Sequence, residues 1–467
     1  MLIVVFDALS ATNMSLYGYP RETTPNIDRL AERATVYHRH YASGNYTTPG
    51  TASLLTGVYP WSHRLFHHTG TMTKELADRN LFRVLADRGY QTIAYTQNIW
   101  TDLLLNQCSG ICDHIDHGRF CLINGLFHDR VFPGDENVAY RGLEDLALQP
   151  FHMPSSLFLS LADSMRISGA EKVINRKYAE LYPRGVPMFS KLFFLLEDAI
   201  DGIGHIAEQV SRPFLGYFHL MPPHDPYRAR REFVGRFDDG WAPPAKKVSP
   251  FAQGHSQEYL NRMRQEYDEY IANVDAEFGR LFDSFERAGL LDDTYVLVTS
   301  DHGELFERGI LAHDTPVLYE PLIHVPLLLW KPGQQEREDV HVPTGAVDLL
   351  PTMMRAAGGA VPPWCEGRVL PTVGVADESD GRAVYAVEAK HNPRQAPLTE
   401  ASVALIRGRY KLTRYVGYRG TENVSELYDL VEDPEELDNI YSTNAAVAAD
   451  LRDELEDKLT AVNAPYV

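Results

Sequence analysis

The chain has 467 residues, 44 of them Lys or Arg and 64 Asp or Glu, for a formal net charge of −20. That length exceeds what one small core organises and predicts roughly two to three structural units. With 44% apolar and 23% charged residues the composition is that of a globular protein, which excludes disorder over most of the chain. The acidic balance excludes an extended nucleic-acid-binding face, which needs Lys and Arg against phosphates, but leaves room for a local positive pocket. No apolar run approaches the roughly 20 residues of a membrane-spanning helix, the longest candidates being short stretches such as Val325 to Trp330. The opening run Leu2 to Phe6 has neither a basic leader nor a small-residue cleavage site, so a cytoplasmic location is expected. Four cysteines in a chain this long do not make a disulfide framework and fit a reducing compartment. Cys108, Cys112, His114, His117 and Cys121 lie close together, but their spacing matches no common zinc finger, and plain buried thiols are expected.

Taken in chain order, short apolar runs alternate with helical stretches, the pattern of an α/β sheet covered on both faces. Leu2 to Phe6, Thr92 to Tyr95, Phe214 to Phe218, Tyr295 to Thr299 and Val325 to Leu329 read as buried parallel strands. Between about Thr101 and Arg212, apolar clusters such as Leu157 to Leu161 sit among scattered Gly and Pro, predicting an inserted, mostly helical region over the sheet. Leu260, Met263, Tyr267, Ile271, Val274, Phe278, Leu281 and Phe285 recur at three- and four-residue steps and stop at Gly289, which predicts a long amphipathic helix. After about Thr372 the texture changes. Ser402 to Tyr415 is rich in β-formers, Glu426 to Leu430 is another short run, and Ala445 to Leu459 predicts a closing helix. The expected division is a catalytic unit over 1–372, carrying the 101–212 insertion, and a small C-terminal α+β subdomain over 373–467.

Polar residues fall where these strands end. Asp7 follows the first run, Asp301 and His302 follow Tyr295 to Thr299, and His219 and His224 follow Phe214 to Phe218. In an open α/β sheet the carboxyl ends of the strands share the ligand-binding edge. Alone, each of these residues could be a helix cap or a turn; together Asp7, Asp301 and His302 make an O/O/N donor set suited to a divalent cation that needs a fourth ligand. In Asn45 to Gly57, Pro49 suits the first turn of a helix, so Thr47 or Thr48 sits at an N-terminus that favours anions. A hydroxyl there, activated by a metal, could attack a phosphoryl or sulfuryl centre.

Eight ordered segments carry a family likeness. They are Val4-Val5-Phe6-Asp7 with Leu16 to Pro20, Thr24 to Leu30, Ala52 to Pro60, His219 with Pro223-His224-Asp225-Pro226-Tyr227, Thr299 to Glu304, Val347 to Thr352, Arg409 to Leu412 and Glu426 to Leu430. In these the chain resembles the sulfatases of the alkaline phosphatase superfamily. The resemblance implies an α/β, alkaline-phosphatase-like sandwich with a central, mostly parallel sheet flanked by helices. It implies metal ligands at Asp7, Asp301 and His302, with Thr47 both at the metal and acting as nucleophile. His224 and His313 would bind substrate oxygens or protonate the leaving group, His219 would be a further substrate contact, and Asn98 stands where the family has a substrate-binding Lys.

The departures from the family pattern redirect the chemistry. Sulfatases use a Cys or Ser oxidised to formylglycine, whereas oxidation of Thr47 would give a ketone, and the signature is further altered by Gly50 and Thr51. Ala8 replaces a second Asp, removing one carboxylate from the metal shell. A Thr ester must be released by water attacking the central atom, which suits phosphorus and resembles the threonine-dependent members of the superfamily. The expected activity is therefore hydrolysis of a phosphate ester, a diester above all, with one or two divalent ions: Mn or Zn from the donor types, Ca or Mg from the resemblance. Sulfuric ester hydrolysis, phosphoethanolamine-type transfer and non-catalytic anion binding are the alternatives. The expected partner is a small anionic ester, with no nucleic acid and no membrane span.

Overall fold

Leu2–Phe6 contains no polar side chain and all of it is buried, so it forms the centre of a sheet covered on both faces. The computed structural model describes residues 1–68, 70–108, 110–122, 157–190, 192–374, 381–421 and 424–467. Among them, eight strands make one sheet in the order Glu338–Val340, Thr35–Tyr37, Leu327–Trp330, Val296–Thr299, Leu2–Phe6, Phe214–Leu220, Gln91–Thr96 and Asp113–His114. Strand side chains alternate between faces. Leu2, Val4 and Phe6 accordingly pack with one core cluster, and Ile3 and Val5 with another. The first cluster lies under Pro25–Ala31, Leu196–Gln209 and Gln257–Arg287; the second lies under Thr47–Thr56, Leu81–Ala86 and Leu349–Ala356.

The long helix runs as its periodicity predicts, over Gln257–Arg287, with Ser256 capping its start and Gly289 in the left-handed region just beyond its end. Leu260, Tyr267, Ile271, Val274, Phe278, Leu281 and Phe285 are all buried. Each such burial is worth about 1.5–3 kcal/mol, which holds this helix on the sheet. Two expectations need correction. Leu327–Trp330 pairs antiparallel with both Val296–Thr299 and Thr35–Tyr37. An apolar run covered on both faces reads the same in either direction, so composition could not tell. The region expected as a helical insertion also carries part of the main fold. Asp113–His114 extends the sheet beside Gln91–Thr96, and Leu196–Gln209 packs on the long helix. Helix Leu157–Lys177 fits the helical expectation, while 123–156 lies outside the described residues.

The C-terminal unit is an antiparallel sheet of Ala383–Glu388, Ala401–Arg407, Tyr410–Val416 and Ser425–Asp429. Val403 and Leu405 face the closing helix Ala445–Asn463 through Ala448, Leu451 and Leu455. Ala404 and Ile406, one step along, face Leu305, Leu318 and Leu322 of the larger unit. Among the described residues no helix is long and apolar enough to cross a membrane.

His40 and His63 are locked into the protein as neutral rings. Burial, aided at His40 by the charges of Arg382 and His324, pushes both down to about 3. Unfolded histidine titrates near 6.5, so between these values the unfolded chain binds more protons than the native one. Stability is present in full above pH 6.5 and is lost as the pH falls toward 3, at up to about 1.4 kcal/mol per pH unit for each ring. Urea unfolding at pH 7, 6, 5 and 4 measures that slope, and His40→Gln should flatten it by one ring's share. An unchanged slope would assign the acid sensitivity to other groups.

Candidate active site and cation centre

Leu2–Phe6, Phe214–Leu220, Gln91–Thr96 and Val296–Thr299 run parallel, so their carboxyl ends open on one edge. Asp7, Asn98 and Asp301 lie just past three of these ends, and His219 is the next-to-last residue of the fourth strand. Thr47 opens helix Thr47–Thr56 at the same place, behind the extended residue Tyr46. All of these side chains are buried, Thr47 being 3% exposed.

Each carboxylate has one oxygen held and the other without a partner. Asp7 Oδ2 accepts from Asn98 Nδ2 at 2.5 Å and lies 3.2 Å from His219 Nε2, while Asp7 Oδ1 has no hydrogen bond. Asp301 Oδ1 accepts from the His302 and Ala8 N–H groups at 3.1 and 3.4 Å, while Asp301 Oδ2 has none. His302 Nδ1 lies 2.9 Å from the Gly303 carbonyl, which can only accept, so Nδ1 carries the proton and Nε2 presents a lone pair. That lone pair lies 3.4 Å from Asp7 Oδ1, 3.7 Å from Asp301 Oδ2 and 3.4 Å from Thr47 Oγ1. Three electron-pair donors thus converge on one point with no proton between them, an arrangement a divalent cation satisfies. Among the described residues Asp7, His219 and Asp301 are the set whose ligand atoms all fall within 4.8 Å of one another.

The backbone is shaped for this approach. A Cβ on Gly50 would meet the Asp301 carbonyl oxygen at 2.3 Å, so the glycine lets helix Thr47–Thr56 lie against the Asp301 loop. Ala8, at φ 60, occupies the left-handed region, at a cost of roughly 1–2 kcal/mol for a non-glycine residue. Its carbonyl accepts from Tyr267 at 2.6 Å, which helps hold the turn that presents Asp7. Ser300 Oγ lies 2.6 Å from both the Phe6 and His302 carbonyls and accepts from Leu9 N–H at 2.9 Å, stitching the two acidic loops together.

Electrostatics separate the groups. Burial favours the protonated form of Asp7, yet the His219 hydrogen bond and the surrounding imidazoles hold it below the usual carboxylate range. Burial and the adjacent Asp7 charge push Asp301 up. His219 is raised, the two carboxylates outweighing its burial, so this acidic pair draws positive charge to itself. Burial also opposes a charge on His224, but Asp225, with Oδ1 at 3.0 Å from Nδ1, raises it to about 10. His313 is pushed down to about 3 by burial and the His224 charge, and its Nδ1 lies 2.9 Å from Glu304 Oε1. The His313 ring stands 4.3 Å from that of His302 and 4.8 Å from that of His224. One cationic and one neutral imidazole therefore flank the cation centre.

The structure brings Asp7, Thr47, Asp301, His302, His224 and His313 into one cluster. Two residues expected on the substrate side sit deeper. Asn98 is spent on Asp7, on Thr47 Oγ1 at 3.3 Å, and on capping Ile99–Asn106 through Trp100 and Thr101. His219 is wedged against the two carboxylates, its Nδ1 3.3 Å from Thr101 Oγ1. Asp225 and Glu304 were given no role from the sequence, although each lies within a quoted motif; which ring each meets depends on the folded loops. Cys108 and Cys112 are buried among apolar side chains as free thiols, and His114 and His117 turn to Asp102 at 3.1 and 3.4 Å.

Known proteins are similar to this chain in sequence and in fold. The profile of the family described as Sulfatase matches residues 1–131 and 162–360, and that of the N-sulphoglucosamine sulphohydrolase C-terminal region matches 309–464. Choline-sulfatase of Rhizobium meliloti (strain 1021) is 25% identical over 453 residues, covering 89% of this chain and 77% of the relative. The multifunctional alkaline phosphatase superfamily protein PehA of Trinickia caryophylli is 25% identical over 490 residues, covering 94% of this chain and 89% of the relative. The crystal structure of the phosphonate monoester hydrolase of Agrobacterium radiobacter superposes with a TM-score of 0.65 at 20% identity, covering 100% of this chain and 95% of that one. With its α/β fold and C-terminal antiparallel sheet, the chain belongs to the sulfatase family of hydrolases.

Proposed function

We propose that this protein hydrolyses a phosphate ester, a diester above all, through a covalent ester on Thr47. The observation that carries the reading is the position of Thr47 Oγ1, which shares two neighbours, His302 and Asn98, with Asp7 at the cation centre. A Thr side chain closes the formylglycine route on chemical grounds, and a buried hydroxyl at a helix N-terminus is well placed to meet an anionic centre. Asp7, Asp301, His302 and His219 would hold a divalent ion, whose charge would make a nearby hydroxyl more acidic and offset negative charge on the transferring group. Mn or Zn suits carboxylates combined with imidazoles, and Ca or Mg is what the family resemblance implies.

Thr47 Oγ, its proton released to solvent, bonds to phosphorus as the bond to the alkoxide breaks; water then attacks phosphorus, gives its proton back to His224, and the Oγ–P bond breaks to free Thr47. His224, held as imidazolium by Asp225, gives its proton to the departing oxygen, a contribution commonly of about 10² to 10⁴ in rate. His313, neutral beside it, contacts the transferring group. Sulfuric ester hydrolysis is the second reading, favoured by the likeness to choline-sulfatase over 89% of this chain. It needs either a Thr47 sulfate or direct attack by water.

A panel of aryl phosphodiester, phosphonate, phosphomonoester and sulfate substrates, each with Mn, Zn, Ca and Mg, separates these readings. Phosphodiester turnover should lead, with Thr47→Ala at least ~10³-fold slower and Thr47→Ser active. Sulfate turnover that survives Thr47→Ala would overturn the covalent mechanism, and silence across the panel would favour an anion-binding member. Ion dependence is a separate expectation. EDTA should abolish activity and the right ion restore it. Gly50→Ala, which drives a methyl into the Asp301 carbonyl, should weaken ion binding by ~10–100-fold, measured by calorimetry.

A further inference from the structure

Glu304 is a buried acid that the chemistry above does not use. It is 0% exposed, and burying a carboxyl is costly unless a partner compensates. Its Oε1 lies 2.9 Å from His313 Nδ1; its Oε2 has no well-formed hydrogen bond, although Tyr227 acts on it. The backbone around it is pinned, with Gly303 N–H donating to the Leu322 carbonyl at 2.7 Å and Glu304 N–H to the Pro321 carbonyl at 3.0 Å. His313 is held on the other side, where its carbonyl accepts from Asn45 Nδ2 at 3.0 Å.

We infer that Glu304 is the positioning residue for His313, fixing the ring so that Nε2 alone is left to face the ester. This rests on the reading of His313 as a group that meets the substrate. An imidazole bonded at Nδ1 cannot turn about its terminal torsion without losing that bond, so the carboxyl sets the ring plane between His302 and His224. The arrangement works whichever group carries the shared proton, because a carboxylate accepts from Nδ1–H and a carboxylic acid donates to a bare Nδ1. It also makes one short loop serve two purposes. Asp301 and His302 face the cation centre, and Glu304, two residues on, orients the imidazole beside it.

A double-mutant cycle on the best substrate of the panel tests this. Glu304→Ala and His313→Ala should each lower kcat by ~10–100-fold with KM within ~3-fold, and the double variant should be no worse than His313→Ala within ~2-fold. Glu304→Gln, whose amide offers both an acceptor and a donor to Nδ1, should recover to within ~5-fold of the parent. Losses that multiply, a Gln variant as poor as Ala, or a change confined to KM would overturn the inference. Should Glu304→Ala not fold, Glu304→Met fills the space without a polar atom and takes its place in the cycle. Crystal structures of the parent and Glu304→Met give a readout independent of turnover: the His313 ring should rotate, and an unmoved ring would overturn the inference even if every ester proves inert. Activity that survives Thr47→Ala defeats the covalent reading and leaves the cycle to report on Glu304.

Discussion

Two carboxylates, Asp7 and Asp301, are buried face to face, each with one oxygen tied down and one left bare, and much of the structure exists to make that tolerable. Burying like charges together is among the costliest arrangements a fold can adopt, and it persists where positive charge or a cation compensates. His219 and His302 are drawn in as partners, Asn98 clamps one carboxylate and backbone N–H groups clamp the other. The parallel strands deliver the acids, and the glycine at 50 lets the helix bearing Thr47 close over them.

The surrounding imidazoles are sorted by burial and by the charge that each one meets. Asp225 is close to His224 and holds it charged, while the charge so created, together with burial, keeps His313 neutral. A cationic donor and a neutral ring within 4.8 Å of each other give the site groups of different character from one residue type. Environment, not identity, makes that distinction.

The C-terminal sheet is tied into this centre through a buried ion cluster. Lys411 Nζ lies 2.9 Å from Glu320 and 2.7 Å from Glu436, all three buried. Glu320 opens the short helix Glu320–Ile323, whose Pro321 and Leu322 carbonyls anchor Glu304 and Gly303. Breaking such a buried pair by removing one partner typically costs about 3–5 kcal/mol, so the small sheet is a structural support of the loop that bears Asp301 and His302.

What the sequence by itself determined is the inventory and its broad placement. The apolar runs and the heptad-like helix were legible because burial on a strand or helix writes a period into the chain. Asp7, Asp301 and His302 stood out because they follow such runs, and Thr47 because Pro49 marks a helix start. Only the tertiary structure decided the direction of Leu327–Trp330, since an apolar strand buried on both faces reads alike both ways. It also decided that His219, paired in register with Val5 and Thr96, reaches between the carboxylates, and that Glu304 meets His313 nine residues away. Those outcomes depend on distances between segments remote in the chain, and a one-dimensional pattern carries the chemistry of a side chain without the partner that the fold assigns to it.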